Sequence, residues 1–270
     1  MIGIMQGRLS PPIDQKIQAF PNKFWKAEFF IAEALGFDCI EWTLDFEDIY
    51  LNPIICNPKV VLEIKNSTNV DIPSLTYDVA MQNPLVVDKL EVVSQTTLLA
   101  LVLKKIREVG VNILVLPLID GSSVEDRRCQ DIYVEILQTI ANRSLDYDLK
   151  IAIESDFNPE KLKNFISEID SPFVGINYDT GNSASNGFQF EKEMSFLKSN
   201  IFNVHIKDRI FQGTTVPLGQ GNSPLKTQFE FFKNNLPDVN LILQTARSAE
   251  GDDVGVAKKY LQFLKTGTLL

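Results

Sequence analysis

The chain is poor in the residues that build several common kinds of site. It has only 3 cysteines in 270 residues, Cys39, Cys56 and Cys129, which are odd in number and far apart. No CxxC pair occurs, so neither a disulfide framework nor a cysteine zinc site is implied. There is a single histidine, His205. Basic residues are outnumbered: 26 Lys and Arg against 35 Asp and Glu leave a formal charge of −9, with a pI near 4.8. A general nucleic-acid binder needs a basic surface to displace counterions from phosphates, so only a local basic pocket is left open to that class. No apolar stretch approaches the ~20 residues that span a bilayer. The opening MIGIMQGR is too short an apolar run for a signal peptide. We expect a cytoplasmic globular protein with no membrane or nucleic-acid partner.

What is present is a large apolar fraction, 44% of the chain, enough for a sizeable core. Short runs rich in Ile, Val and Phe recur at 2–5, 38–42, 73–77, 112–117, 149–154, 173–178, 201–206 and 239–244. They read as strands buried on both faces. Amphipathic stretches lie between them. Trp25, Phe29, Ala32 and Leu35 share one helix face. Ser123 with Asp126 resembles a capping box before a helix over about 124–145. Asn158 followed by Pro159 suits the cap and first turn of the next helix. The units average about 34 residues, a natural length for the βα repeat of a (βα)8 barrel. No Gly/Ser linker or charge block divides the chain, so the expectation is an α/β single-domain TIM barrel over residues 1–270. The alternative, an open doubly wound sheet, lacks its Gly-rich fingerprint: MQGRLSPP follows the first strand instead.

Four runs in the second half end on metal-capable side chains: Glu154 in IAIES, Asp179 in GINYD, His205 in NVHIK and Gln244 in LILQT. On consecutive strands of one parallel barrel they would meet at its carboxyl-terminal mouth. Carboxylate, imidazole and amide oxygen together suit one divalent ion, Mg²⁺, Mn²⁺ or Zn²⁺. Taken singly each has an ordinary reading. A strand-end acid often caps a helix, Asp179-Thr180-Gly181-Asn182 is turn chemistry, and a lone histidine is usually structural. Their joint placement is the argument.

Residues two apart share a strand face, so Lys207 points with His205 and Asn177 with Asp179. Lys207 is a candidate auxiliary acid, or else a partner of Asp208 or Glu41. Arg8, Arg209 and Arg247 lie just beyond strand ends and suit phosphate or carboxylate, or surface ion pairs. Gly219-Gln220-Gly221 is a flexible loop by composition and a candidate phosphate cradle. Trp42, with Tyr77 and Phe211, is a candidate apolar wall against a sugar face. Glu41, Trp42 and Asn182 complete the expected substrate contacts.

Several segments, in order and spacing, carry a resemblance: GIMQGRLSPP (3–12), GFDCIEW (36–42), VLPLIDGSS (115–123), IAIES (151–155), YDTGNSAS (178–185), VHIKDR (204–209) and VPLGQGN (216–222). Through them the chain resembles the xylose isomerase-like barrel superfamily, a sugar-phosphate isomerase/epimerase group with an apurinic endonuclease branch. The resemblance implies one divalent metal held by glutamate, aspartate, histidine and glutamate from the last four strands. The two glutamates would act as acid and base on the two faces of a sugar. Glu154, Asp179 and His205 match that set, and Gln244 departs from it. The endonuclease branch uses several zinc ions and many histidines, which a chain with one histidine cannot supply.

The implied activity is a metal-dependent isomerase or epimerase acting on a small sugar or sugar phosphate through an enediolate. Glu154 would be base and ligand. An amide cannot serve as a carboxylate base, so one-face isomerisation is easier to support than two-base epimerisation. Two readings stay open beside it: a non-catalytic sugar-binding barrel, and a metal-assisted lyase or dehydratase on a polyhydroxy acid. Whether the chain forms a homo-oligomer is also left open.

Overall fold

A computed structural model describes residues 1–84, 89–145 and 148–269. The apolar runs form β1 (Ile2–Met5), β2 (Cys39–Leu44), β3 (Ser74–Tyr77), β4 (Ile113–Leu118), β5 (Lys150–Ser155), β6 (Val174–Asp179), β7 (Ile201–Ile206) and β8 (Asn240–Leu243). Each pairs in parallel with the next, and β8 pairs with β1 through Ile2 and Leu241. That last ladder closes the barrel and excludes the open doubly wound sheet. The principal outer helices are α1 (Trp25–Leu35), α2 (Pro58–Asn66), α3 (Lys89–Val109), α4 (Arg127–Leu145), α5 (Pro159–Ile169), α6 (Phe190–Leu197), α7 (Leu225–Asn235) and α8 (Asp253–Thr266). Among the described residues no helix is long and apolar enough to cross a membrane.

Local chemistry sets the helix ends. Helix α1 buries Trp25, Phe29 and Ala32, and stops at Gly36, whose left-handed backbone lets its N–H reach the carbonyls of Ala32 and Glu33. Asn158 caps α5 by accepting the Lys161 N–H at 2.9 Å, with Pro159 in the first turn. The start of α4 differs from expectation. Asp126 is the cap, its Oδ1 accepting the N–H groups of Arg128 and Cys129, while the Ser123 hydroxyl donates to Asp156 at 3.0 Å. The capping box is therefore not formed, because one aspartate satisfies the first-turn donors alone.

Alternation along each strand divides the side chains between two environments. Those pointing outward join one continuous apolar layer with the helices, in which Ile40, Trp42, Leu44, Phe29 and Ile54 are fully buried. Those pointing inward fill the barrel. Two small apolar clusters lie there, Met5 with Cys39 and Ile242, and Ile113 with Val115 and Ala152, the latter packed by Phe202. Glycine is required beside both. A Cβ at Gly3 would stand 2.5 Å from the Cys39 sulfur, and one at Gly175 would stand 2.5 Å from the Phe202 ring. The rest of the interior is polar.

Candidate active site

The polar interior is built around Glu41, which is fully buried. Its Oε1 accepts from Thr76 at 2.5 Å and meets His205 Nε2 at 2.7 Å. Its Oε2 accepts from Ser74 at 2.6 Å and Asn203 at 2.8 Å. Burial opposes its charge, yet the facing His205 and these hydrogen bonds outweigh that and hold it below the usual carboxylate range. Such a carboxylate fixes the orientation of the imidazole ring. Burial alone would lower the basicity of His205, but Glu41 and Glu154 together raise it to about 10. Its Nδ1 faces Glu154 Oε2 at 3.2 Å. Asn177 sits beside both, its Nδ2 3.0 Å from Glu154 Oε2 and from His205 Nδ1.

One layer above, Glu154, Asp179 and His205 each turn a ligand atom inward, all within 4.8 Å of one another. Glu154 Oε1 accepts from the Asn182 amide at 2.7 Å. Burial works against the Glu154 charge, but His205 and then Lys207 prevail and hold it ionised. The two oxygens of Asp179 divide their roles. Oδ1 caps the short helix Thr180–Ser185 through the Asn182 N–H at 2.8 Å. Oδ2 is buried without a hydrogen-bond partner and lies 3.6 Å from the Lys207 ammonium. Burial accordingly pushes the Asp179 carboxyl up, with Lys207 the main opposing influence. A clustered carboxylate, carboxylate and imidazole with one oxygen unsatisfied is a donor set that fits a divalent cation. Gln244 is close by, but its Oε1 accepts from Lys207 Nζ at 3.2 Å. Gly181 allows the crossing of chains above it: a Cβ there would stand 2.8 Å from Lys207 Cγ and 3.1 Å from Arg209 Cγ.

The remaining expected contacts are distributed differently. Asn182 is spanned by Glu154 on one side and by Arg209 on the other, whose NH1 donates to its Oδ1 at 2.8 Å. Arg209 also holds the Gly213 carbonyl, so it positions Asn182 and through it Glu154. Arg8 is buried and donates to the carbonyls of Thr245 and Ile17 and to the Gln18 amide. Burial, and next Arg247, lower its basicity to about 10. Arg247 donates to the Ser10 carbonyl at 2.7 Å and to Asp253 at 2.8 Å, tying the loop after β1 to α8.

Four expectations are corrected. Glu41 is fully buried, with both carboxylate oxygens engaged by Ser74, Thr76, Asn203 and His205, so its contacts are all within the chain. Trp42, the next residue, necessarily faces outward, where it packs on Phe20, Trp25 and Phe29 and donates to Asn52 at 3.1 Å. It forms no wall with Tyr77, which is buried, or Phe211, which is half exposed. The Gly219-Gln220-Gly221 loop is no open cradle, because Asp208 already accepts its N–H groups at Gly219 and Gly221, each at 2.9 Å, and that of Ser223 at 3.0 Å. Lys207 pairs with neither Asp208 nor Glu41, but with Asp179.

Two mouth residues had no signal in the periodicity. Gln18, from the loop after β1, donates to Asp78 at 2.7 Å and accepts from Gln244 at 2.9 Å. Asp78 follows β3 and is 3% exposed.

This geometry, a closed parallel barrel with its polar groups at the carboxyl ends of the strands, belongs to a known class. The xylose isomerase-like TIM barrel family model matches residues 29–266, and the chain is a member of that family. No protein with curated annotation matches the sequence. Among solved structures, D-allulose 3-epimerase from Methylomonas sp. superposes with a TM-score of 0.77 at 17% identity, covering 99% of this chain and 97% of that one. The IOLI protein, solved with a bound zinc atom, gives 0.72 at 16% identity over 98% of both chains. AsbF from Bacillus anthracis, a probable 3-DHS dehydratase, gives 0.70 at 14% identity over 96% of this chain and 98% of that one. At these identities the likeness is one of fold.

Proposed function

We propose that the chain is a metal-dependent isomerase or epimerase of a sugar or sugar phosphate, working by proton transfer alpha to a carbonyl. The observation that carries this reading is the convergence of Glu154, Asp179 and His205 on one point, with the Lys207 ammonium beside it. A divalent ion held by those three residues would polarise the substrate carbonyl and stabilise an enediolate. Glu154, almost fully buried and kept ionised by His205 and Lys207, takes the carbon-bound proton. Asn177 and Asn182 fix the direction of its oxygens. Lys207 donates to oxygen as negative charge develops. Gln244 contributes an amide rather than a base. Membership of the family and the likeness to a sugar epimerase agree with this reading.

Equilibrium metal binding to the native chain, to Glu154→Gln and to His205→Ala tests the metal. We expect one Mg²⁺, Mn²⁺ or Zn²⁺ per chain and weakened binding in both variants, and a native chain that takes up none at millimolar supply sinks the proposal. Gln244 favours a second reading, a barrel that binds sugar without turning it over. Wash-in of solvent deuterium at a carbon of the sugar separates the two, since only the enzyme labels it. A dehydratase would begin with the same labelled step and then release water, which product analysis detects.

A further inference from the structure

Gln244 leaves the last strand without a carboxylate, but the mouth holds another one, on the residue that follows β3. Ser74 and Thr76 of β3 both point into the barrel, where they donate to Glu41. Asp78 follows directly on β3, before the short helix Val79–Gln82, and its carboxylate reaches the mouth, where Gln18 links it to Gln244. In the closed ring β3 stands across from β7, which carries His205. Asp78 therefore extends from the strand across the ring from His205, and its carboxyl feels the charges of both Glu154 and His205.

Its surroundings are those of a group waiting for a ligand. Oδ2 accepts from Gln18 at 2.7 Å, whereas Oδ1 is buried with no hydrogen-bond partner. The Gln18 amide bridges Asp78 to Gln244, donating to the first and accepting from the second, with Arg8 NH2 3.4 Å from the same oxygen. A hydroxyl next to a carbonyl oxygen on a sugar presents the same pair, one donor and one acceptor. Gln18 is only half buried and follows an exposed stretch, residues 14–17, in which Asp14 and Gln15 both have left-handed backbone. Gln18 thus occupies this part of the mouth from a surface loop.

We propose that Asp78 is the second acid/base residue of this site, serving the face of the substrate carbon turned away from Glu154. The inference rests on the isomerase/epimerase reading and deepens it. Glu154 takes the carbon-bound proton, and the electrons of that C–H bond pass to the carbonyl oxygen to give the enediolate. The protonated Asp78 carboxyl then delivers its proton to the same carbon from the other face. The new C–H bond forms as the carbonyl is restored, leaving Asp78 ionised and Glu154 protonated. Exchange with solvent resets both. Burial, above all, pushes Asp78 up to about 7; the Gln18 hydrogen bond and His205 lower it, while Asp45 and Glu154 raise it. Arg8 is a further charge coupled to it. At neutral pH it thus has both forms in quantity, as a group that gives and takes protons requires.

The test uses the full chain with metal supplied and a panel of ketohexoses in D₂O, D-allulose and D-tagatose included. It measures inversion and deuterium wash-in separately. For Asp78→Asn we expect inversion to fall by at least ~100-fold with KM little changed, while Glu154-dependent wash-in without inversion persists. Asp78→Glu should recover part of the inversion, and Glu154→Gln should lose the wash-in. An active wild type whose Asp78→Asn variant inverts at an undiminished rate overturns the role of Asp78 and leaves the isomerase reading standing. A wild type that neither labels nor converts any sugar overturns both. Independently of activity, carboxyl ¹³C NMR of the metal-free chain should show Asp78 titrating near 7; titration near 4 overturns the proposal.

Discussion

The two faces of the same strands obey opposite rules. Outward side chains such as Ile40, Trp42 and Leu44 join an apolar layer that has no chemistry and is held by close packing. Inward side chains such as Glu41, Thr76, Asn177, Asn203 and His205 form a hydrogen-bonded lattice just as fully buried. Barrel interiors are more commonly filled by Val, Ile and Leu. Here the upper interior gives up that packing, and a cluster of polar and charged groups is held by shared hydrogen bonds, with the Asp179 and Asp78 carboxylates each left one oxygen short. The lesson is that stability and function are separated by the pleat: adjacent residues, Glu41 and Trp42, serve different ends.

Substitutions on either side of the pleat can break this division. The largest effect expected is on the outer face. Trp42→Ala should cost about 3–5 kcal/mol, and each kcal/mol lowers the melting temperature of a domain this size by roughly 2–4 °C. Thermal unfolding checks it, and retained metal binding by the folded fraction would keep the division intact. On the inner face, Glu154→Gln should lower turnover by ~10²–10⁴-fold while shifting the melting temperature little. A large loss of stability there would merge the two regions. Glu41→Gln lies between the extremes, touching neither metal nor substrate yet orienting His205. It should weaken metal affinity about 10–100-fold, read by titration calorimetry.

The most gradual effect is a pH dependence. In the folded chain His205 is raised from 6.5 to about 10, by Glu41 and Glu154 against burial. A raised folded value means that the protonated ring favours the folded state. The contribution is fully present below about 6.5 and is lost as pH rises toward 10. The melting temperature of metal-free protein should therefore decline across that window. Saturating metal, which requires the unprotonated ring, should flatten the slope.

How much of this was legible beforehand follows from the same pleat. Each strand was readable because buried parallel strands are short apolar runs, and the closing ladder between Ile2 and Leu241 followed from their number. Glu154, Asp179 and His205 were readable as neighbours because successive strand ends meet at one rim. Periodicity assigns a face but not a depth, so Glu41 was expected at the mouth and lies a layer below it. Alternation did contain the placement of Trp42: once Glu41 points inward, its neighbour must point out. Gln18 was not legible, because it reaches the mouth from an irregular loop whose path depends on Arg8, Glu28 and the left-handed Gly7. Asp78 required knowing that Ser74 and Thr76 face inward.

Asp208 has a consequence for the loop it holds. The turn from Gly219 to Ser223 gathers N–H groups as an anion receptor does, and Asp208 is the anion already installed there. A phosphorylated sugar would have to evict a covalently tethered competitor, whose effective concentration no free metabolite matches. The N–H groups of Gly219, Gly221 and Ser223 are thus already committed to a tethered carboxylate.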